Sequence, residues 1–220
     1  MSDFEMNTSP EQGFQVDTDF AEEFSGSPAP EKKSTVGQDF VEWLDILTVS
    51  VIAVVLVFTF LFRIATIQGT SMVNTLQDGE RVIISNLNYK PKYKDIVVIS
   101  RNMNNDVENE TESNKPIIKR VIATGGQTVD IDFDRGIVYV DGKALQEDYT
   151  YEPTYNKYEV NFPVYVPEGY VFVLGDNRTN SRDSRSSTIG ENGLIKEEYI
   201  LGHAIFRILP FSAAGKLTDK

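Results

Sequence analysis

An antiparallel, mainly β domain preceded by one membrane-spanning helix is the fold this 220-residue sequence predicts. Three observations lead there. The only long apolar run, Ile46 to Phe62, has membrane length. Beyond residue 67 no apolar pattern sustains a 3.6-residue period. The remaining apolar residues fall in short β-branched runs separated by turn signals, which suits a barrel-like or coiled sheet.

The N-terminal stretch is set apart by charge. Residues 1–45 carry eleven acidic side chains against Lys32 and Lys33, a net of −9 out of −12 for the whole chain. Low apolar density and Ser25-Gly26-Ser27-Pro28-Ala29-Pro30 predict a disordered acidic tail over residues 1–37. Residues 38–67 form the predicted membrane anchor. A helix from Ile46 to Ile67 is about 33 Å long, enough to cross the hydrocarbon core. Trp43 sits where an interfacial anchor belongs. A cleaved secretory signal fits poorly, since the run is too long, its leading flank is acidic and no small-x-small site follows. Lys32 and Lys33 favour an N-terminus on the cytoplasmic side, although Arg63 lies on the other flank.

Residues 68–212 make the predicted β domain. Asp78-Gly79 is a turn into the strand Arg81–Ser85, and Asp95–Ser100 reads as a second strand. Asn102 to Lys115 is polar and reads as a surface loop. Ile117–Thr124, Val129–Phe133 and Gly136–Val140 are strands, and Asp141-Gly142 signals a tight hairpin. Tyr170–Leu174 and Ile200–Ile208 complete the set, with a helical turn expected within Glu191–Glu198. Residues 213–220 read as a C-terminal tail.

Composition narrows the chemistry. With no cysteine, disulfides, thiolate zinc sites and a Cys nucleophile are excluded. With His203 the single histidine, a multi-histidine zinc site is excluded and a Ser-His-Asp triad could use only that residue. The acidity argues against nucleic-acid binding. Proton transfer therefore falls to His203, a carboxylate or a lysine kept neutral by desolvation.

Three stretches could carry such chemistry. Gln68-Gly69-Thr70-Ser71-Met72-Val73-Asn74-Thr75-Leu76 places a serine just beyond the apolar run, as a turn or as a nucleophile near the lipid surface. Lys119-Arg120 interrupts an apolar strand, so alternation sends one of the two cations inward, as a half-buried ion pair or as a base. Gly175-Asp176-Asn177-Arg178 through Arg185 reads as a tight loop rich in side-chain-to-backbone bonds. Calcium-loop spacing is absent from it.

Taken in order after one anchor, Ser71-Met72 with Thr75-Leu76, Lys119-Arg120-Val121-Ile122, and Gly175-Asp176-Asn177-Arg178 with Ser181, Asp183, Ser184 and Arg185 resemble the type I signal peptidases. The single anchor is similar to the Gram-positive form of that family. The resemblance covers residues 40 to 212. It implies an antiparallel β fold and a membrane-bound serine endopeptidase that needs no cofactor or metal. It implies secretory preproteins with small residues at −1 and −3 as substrates, cleaved on the outer side of the cytoplasmic membrane. Ser71 is then the nucleophile and Lys119 the general base. Ser181 orients that lysine, Asp183 and Arg185 hold the loop, Met72 lines the substrate pocket, and the Ser71 amide serves the oxyanion. The sequence departs from the pattern at Asn74, where the family usually has Pro, at Gly69, where some members use a serine hydroxyl, and at Ala123-Thr124-Gly125-Gly126-Gln127, where Gly-x-Pro-Gly-Asp is usual. Two other readings stay open: a self-cleaving Ser–Lys protease, opposed by the anchor, and a non-catalytic relative assisting surface-protein or pilus assembly.

Overall fold

The computed structural model describes residues 36–100 and 115–217. Residues 1–35 of the acidic tail, nearly all of the predicted polar loop and the last three residues lie outside that description.

The chain divides into two units at the Ser50–Val51 junction. Helix α1 spans Val36–Leu61, and its segment Asp39–Val57 is long and apolar enough to cross a membrane. Thr48, Ser50 and Thr59 donate their hydroxyls to the carbonyls four residues back, each at 2.7 Å. Those bonds let polar side chains sit in an apolar helix without a free donor.

The helix does not run to Ile67 as the apolar pattern suggested. It stops at Leu61, and Phe62–Thr66 forms strand β1, antiparallel to β2 (Arg81–Ser85) from Phe62↔Ser85 to Thr66↔Arg81. An apolar run satisfies either a helix or a strand, and here the neighbouring β2 backbone decides. Strands β3 (Ile96–Ile99), β4 (Ile117–Thr124) and β5 (Thr128–Asp132) follow, then β6 (Ile137–Val140), β7 (Lys143–Ala144) and β8 (Val164–Tyr165). The last are β9 (Tyr170–Leu174), β10 (Ile195–Lys196), β11 (Ile200–Leu209) and β12 (Gly215–Lys216). All pair antiparallel, in a curled sheet β1-β2-β11-β3-β4-β9-β10 with β12 on β11, and a second sheet β7-β6-β5-β8.

Irregularities bend the large sheet. Register shifts occur between Ala204 and Phe206 of β11 and between Val121 and Ala123 of β4, and such bulges raise local twist. The Asp141-Gly142 hairpin forms as its sequence predicts, with both residues at positive φ, 51° and 73°. Glu191–Glu198 starts as a small hairpin, closed by a Glu191↔Leu194 bridge, and the helical turn expected in this stretch is the 3-10 turn at Glu197–Tyr199.

The central strands are covered on both faces. Val97, Ile99, Val121, Val171 and Val173 form one buried cluster, whereas Ile96 and Val98 join Met72, Leu76, Val82 and Ile84 in another. A third cluster packs β5 and β6 against Ile122, Phe172 and Leu174. This two-sided burial is why β3 and β9 read as unbroken apolar runs. The C-terminus is not simply a tail: β12 pairs with Phe206 and Arg207 of β11, and Leu217 is buried beside Met72 and Leu76.

Candidate active site

Ser71 lies in a loop closed at its base. Ile67 N donates to Glu80 O at 2.8 Å, Gly79 N to Ile67 O at 3.0 Å, and Gly69 N to the Asp78 carboxylate at 2.7 Å. A single turn, Leu76 N to Met72 O at 2.8 Å, directs Met72 and Leu76 into the core. Met72 is therefore 1% exposed and packs among aliphatic side chains. Its expected place on a pocket wall is not what the structure shows. The amphipathic turn that presents Ser71 buries the next residue.

The loop is fastened to the segment after β9. Asn177 N donates to Ser71 O at 3.0 Å, Asn177 Nδ2 to Thr70 O at 3.2 Å, and Asn180 Nδ2 to Thr70 Oγ1 at 2.8 Å. Gly175 permits the approach, because a Cβ there would lie 2.2 Å from Ser181 Oγ and 2.6 Å from Ser71 O. Asn74 is exposed, and the Val73–Asn74 peptide is cis.

Strand β4 delivers both cations to buried positions, not one as strand alternation alone suggested. Lys119 is 3% exposed and Arg120 1%. Each takes its own face, Lys119 opposite Val97 and Arg120 opposite Ile96, and both faces of this central strand are covered. Lys119 Nζ donates to Ser71 Oγ at 2.9 Å and to Ile118 O at 2.8 Å. A neutral amine in the same place can accept the serine proton. Arg120 grips Asp176 through Nε and Nη2 at 2.8 and 2.7 Å. It also reaches Thr75 Oγ1 at 3.1 Å and Lys94 O at 2.9 Å. Thr75 in turn donates to Asp176, so one buried network ties the serine loop, β4 and the β9 loop together.

Two further arginines fix the β9 loop. Asp183 accepts from Gly175 N at 3.0 Å and holds Arg185 through two bonds of 2.9 Å. Arg185 also donates to Arg178 O at 2.8 Å and Asn156 O at 3.0 Å. Asp183 and Arg185 thus form a buried ion pair within this loop. Arg178 bonds both Glu147 oxygens, at 3.0 and 2.7 Å, together with Thr154 and Gly175 O. Burial opposes its charge, but the Glu147 carboxylate outweighs burial and holds the guanidinium pKa above its usual value. Tyr149 stacks under Arg120 at 4.0 Å and donates to Glu147 at 2.9 Å. Burial chiefly, and Glu147 next, push its phenol well above the usual range.

Ser181 differs from expectation. Its Oγ is buried and has no hydrogen-bond partner among the described residues, so the orienting bond to Lys119 is not made in this structure. The side chain instead packs against Gly175. His203 is held elsewhere, with Nδ1 3.0 Å from Ser85 O and its ring stacked on Tyr89 at 4.2 Å. Among the described residues no group of three or more His, Asp or Glu side chains is placed to hold a metal.

A cavity of about 390 Å³ runs along β1, bordered by Gln68, Thr66, Ile64, Ile84, Val98 and Ile118, with Arg63 and Lys115 also on its wall. Sequence reasoning missed these wall residues, and also Glu147 and Thr154, whose partner Arg178 is distant in the chain. Nothing in their own neighbourhoods marks them.

The model of the family described as "Signal peptidase, peptidase S26" matches residues 40–209. A probable signal peptidase I-1 of Synechocystis sp. is 38% identical over 180 residues, covering 80% of this chain and 86% of the relative. Signal peptidase I of Bacillus licheniformis is 33% identical over 196 residues, covering 84% and 97% respectively. Signal peptidase I T of Bacillus subtilis is 35% identical over 194 residues, covering 82% and 90%.

Proposed function

This chain belongs to the signal peptidase family, peptidase S26, and on that premise we propose a division of labour among its residues. The protein is a membrane-associated serine endopeptidase that removes signal peptides from preproteins. Ser71 is its nucleophile and Lys119 its general base. The observation that carries this assignment is the 2.9 Å contact between Lys119 Nζ and Ser71 Oγ, with the lysine buried.

Ser71 Oγ attacks the carbonyl of the −1 residue as Lys119 takes the hydroxyl proton. The lysine then protonates the amine that leaves as the mature N-terminus. Water, deprotonated by the same lysine, cleaves the ester and restores Ser71. The Ser71 amide supports the oxyanion, and with Gly69 two residues earlier no side-chain hydroxyl assists from that position. Ile118 O accepts a bond from Lys119 and keeps the amine in line. An extended substrate fits the cavity along β1, with alternate side chains turned to its wall. The aliphatic lining by Ile64, Ile84, Val98 and Ile118 suits small apolar residues at −1 and −3.

The β domain works outside the cytoplasmic membrane and α1 anchors it there, with the N-terminus inside. Two measurements test these readings. Purified full-length protein in detergent should cleave a preprotein next to a small residue, and Ser71→Ala should not. Protease added to intact cells or protoplasts should digest residues 68–220 and spare the acidic tail. An inactive wild type would return the assembly-factor reading. Digestion of the tail alone would reverse the orientation.

A further inference from the structure

Thr75, in the same loop as the nucleophile, is held by arginines from two directions. Arg120 of β4 donates to its hydroxyl at 3.1 Å, and Arg207 of β11 donates to its carbonyl at 3.2 Å. The first contact belongs to the buried network around Asp176. The second comes from a strand that supplies no group to the serine–lysine chemistry. We propose that Arg207 is a positioning residue for Ser71, acting through the carbonyl of Thr75. The proposal rests on the assignment of Ser71 as nucleophile and Lys119 as base.

Strand pairing aims Arg207 at the loop. It stands opposite Val82 of β2, and paired residues share a face of the sheet. Val82 is buried in the cluster that holds Met72 and Leu76, so Arg207 is directed at the underside of the serine loop. There its Nη1 donates to both Glu80 oxygens at 3.0 Å, and its Nε donates to Ala213 O at 2.8 Å. Glu80 also closes the base of the loop, where its carbonyl accepts from Ile67 N at 2.8 Å. One guanidinium therefore links Thr75, the end of the loop at Glu80 and the turn Phe211–Ala213.

Packing alone does not hold the loop on this flank. A cavity of about 390 Å³ lies beside it, bordered by Asn74, Thr75, Tyr149, Arg207, Lys216 and Leu217. Open space there leaves the Thr75 carbonyl to the charge-assisted bond from Arg207. The buried Glu80 carboxylate fixes the guanidinium in place. A shift of Thr75 reaches Ser71 through the single turn that Leu76 N and Met72 O close. Ser71 Oγ then leaves its 2.9 Å contact with Lys119 Nζ. Arg207 does not border the cavity along β1, so its loss acts on turnover and not on substrate binding.

The test uses full-length protein in detergent and a fluorogenic peptide spanning a cleavage site, with kcat and KM read well below every Tm. Arg207→Met should lower kcat about tenfold to a hundredfold, as a misplacement of up to about 1 Å does. Its KM should stay within about twofold of the wild type, since the lost contact serves the transition state and not binding. Arg207→Lys keeps a charge beside Glu80 but lacks the fork that also reaches the Thr75 carbonyl, and should lose about fivefold in kcat. Ile131→Ala empties a buried position in the small sheet, which lowers Tm through the cavity it leaves, and should keep its kcat. That control separates positioning from stability. The proposal is overturned if Arg207→Met keeps the wild-type kcat, if its loss falls on KM, or if Ile131→Ala loses as much kcat. If Arg207→Met does not fold, Arg207→Lys decides, and a wild-type kcat there overturns the proposal. In each of these cases the wild type still cuts the peptide and the proposed activity stands. A wild type that cuts no peptide ends the proposed activity and this proposal together.

Discussion

Arg120 and Asp176 form a two-bonded ion pair at 2.8 and 2.7 Å in which neither side chain reaches solvent. The register of β4 on β9 makes it, because Arg120 is paired with Leu174 and Asp176 lies two residues further on. Through Thr75 the same pair holds the end of the serine loop.

Replacing Asp176 by Asn should therefore cost far more than its change in shape implies. The substitution leaves a buried guanidinium without its counter-charge, a loss of about 3–5 kcal/mol. Thermal unfolding of the full-length protein in micelles should show a clear fall in Tm. A Tm within a degree of the wild type would mean that Arg120 finds another partner.

Ser71→Ala, Lys119→Ala and Lys119→Arg should each lower kcat by at least about three orders of magnitude while the circular dichroism spectrum is kept. Arginine keeps the charge but cannot give up its proton in the working range. Activity should fall as pH drops, since only a neutral amine accepts the serine proton. His203→Ala should leave that acidic limb in place, because His203 is engaged with Ser85 and Tyr89. An acidic limb that disappears with His203 would remove Lys119 from the base's role.

Gly175→Ala tests the close approach behind the nucleophile. The new Cβ meets Ser181 Oγ, Ser181 Cβ and Ser71 O at 2.2, 2.5 and 2.6 Å, so the Ser71 backbone has to move. A displacement near 1 Å costs about a hundredfold in rate, and the loss should appear in kcat. Adding Ser181→Ala removes the hydroxyl contact only and should restore little. Full recovery in the double variant would show that the serine loop had not moved.

Stability should decline on the alkaline side. Tyr149 and Tyr89 both have raised phenol pKa values, chiefly from burial, helped by Glu147 and Asp95 respectively. The neutral phenols thus favour the folded state below the unfolded-state value of about 10. Above it the unfolded chain ionises while the folded one does not, so stability falls as pH rises. Denaturation midpoints from pH 8.5 to 11 should slope downward, and Tyr89→Phe with Tyr149→Phe should flatten the slope. An unchanged slope would assign the alkaline loss to other groups.

Much of this molecule was determined by sequence alone. The helix-forming apolar run, strands such as Arg81–Ser85 and Ile117–Thr124, and the Asp141-Gly142 hairpin follow from local composition, period and turn chemistry. The Ser71, Lys119 and Gly175–Arg185 stretches were legible as a family pattern. What they touch was decided by pairing between distant segments, since Ser71 and Lys119 are 48 residues apart. Tertiary contacts turned Phe62–Thr66 from helix to strand by offering it β2, and drew Leu217 into the core. They buried Lys119 and Arg120 on opposite faces of one strand, sent Met72 inward, and left the Ser181 hydroxyl without a bond among the described residues. A side chain's alternation is a property of its own strand, but its burial depends on what covers each face, and those covering residues lie elsewhere in the chain.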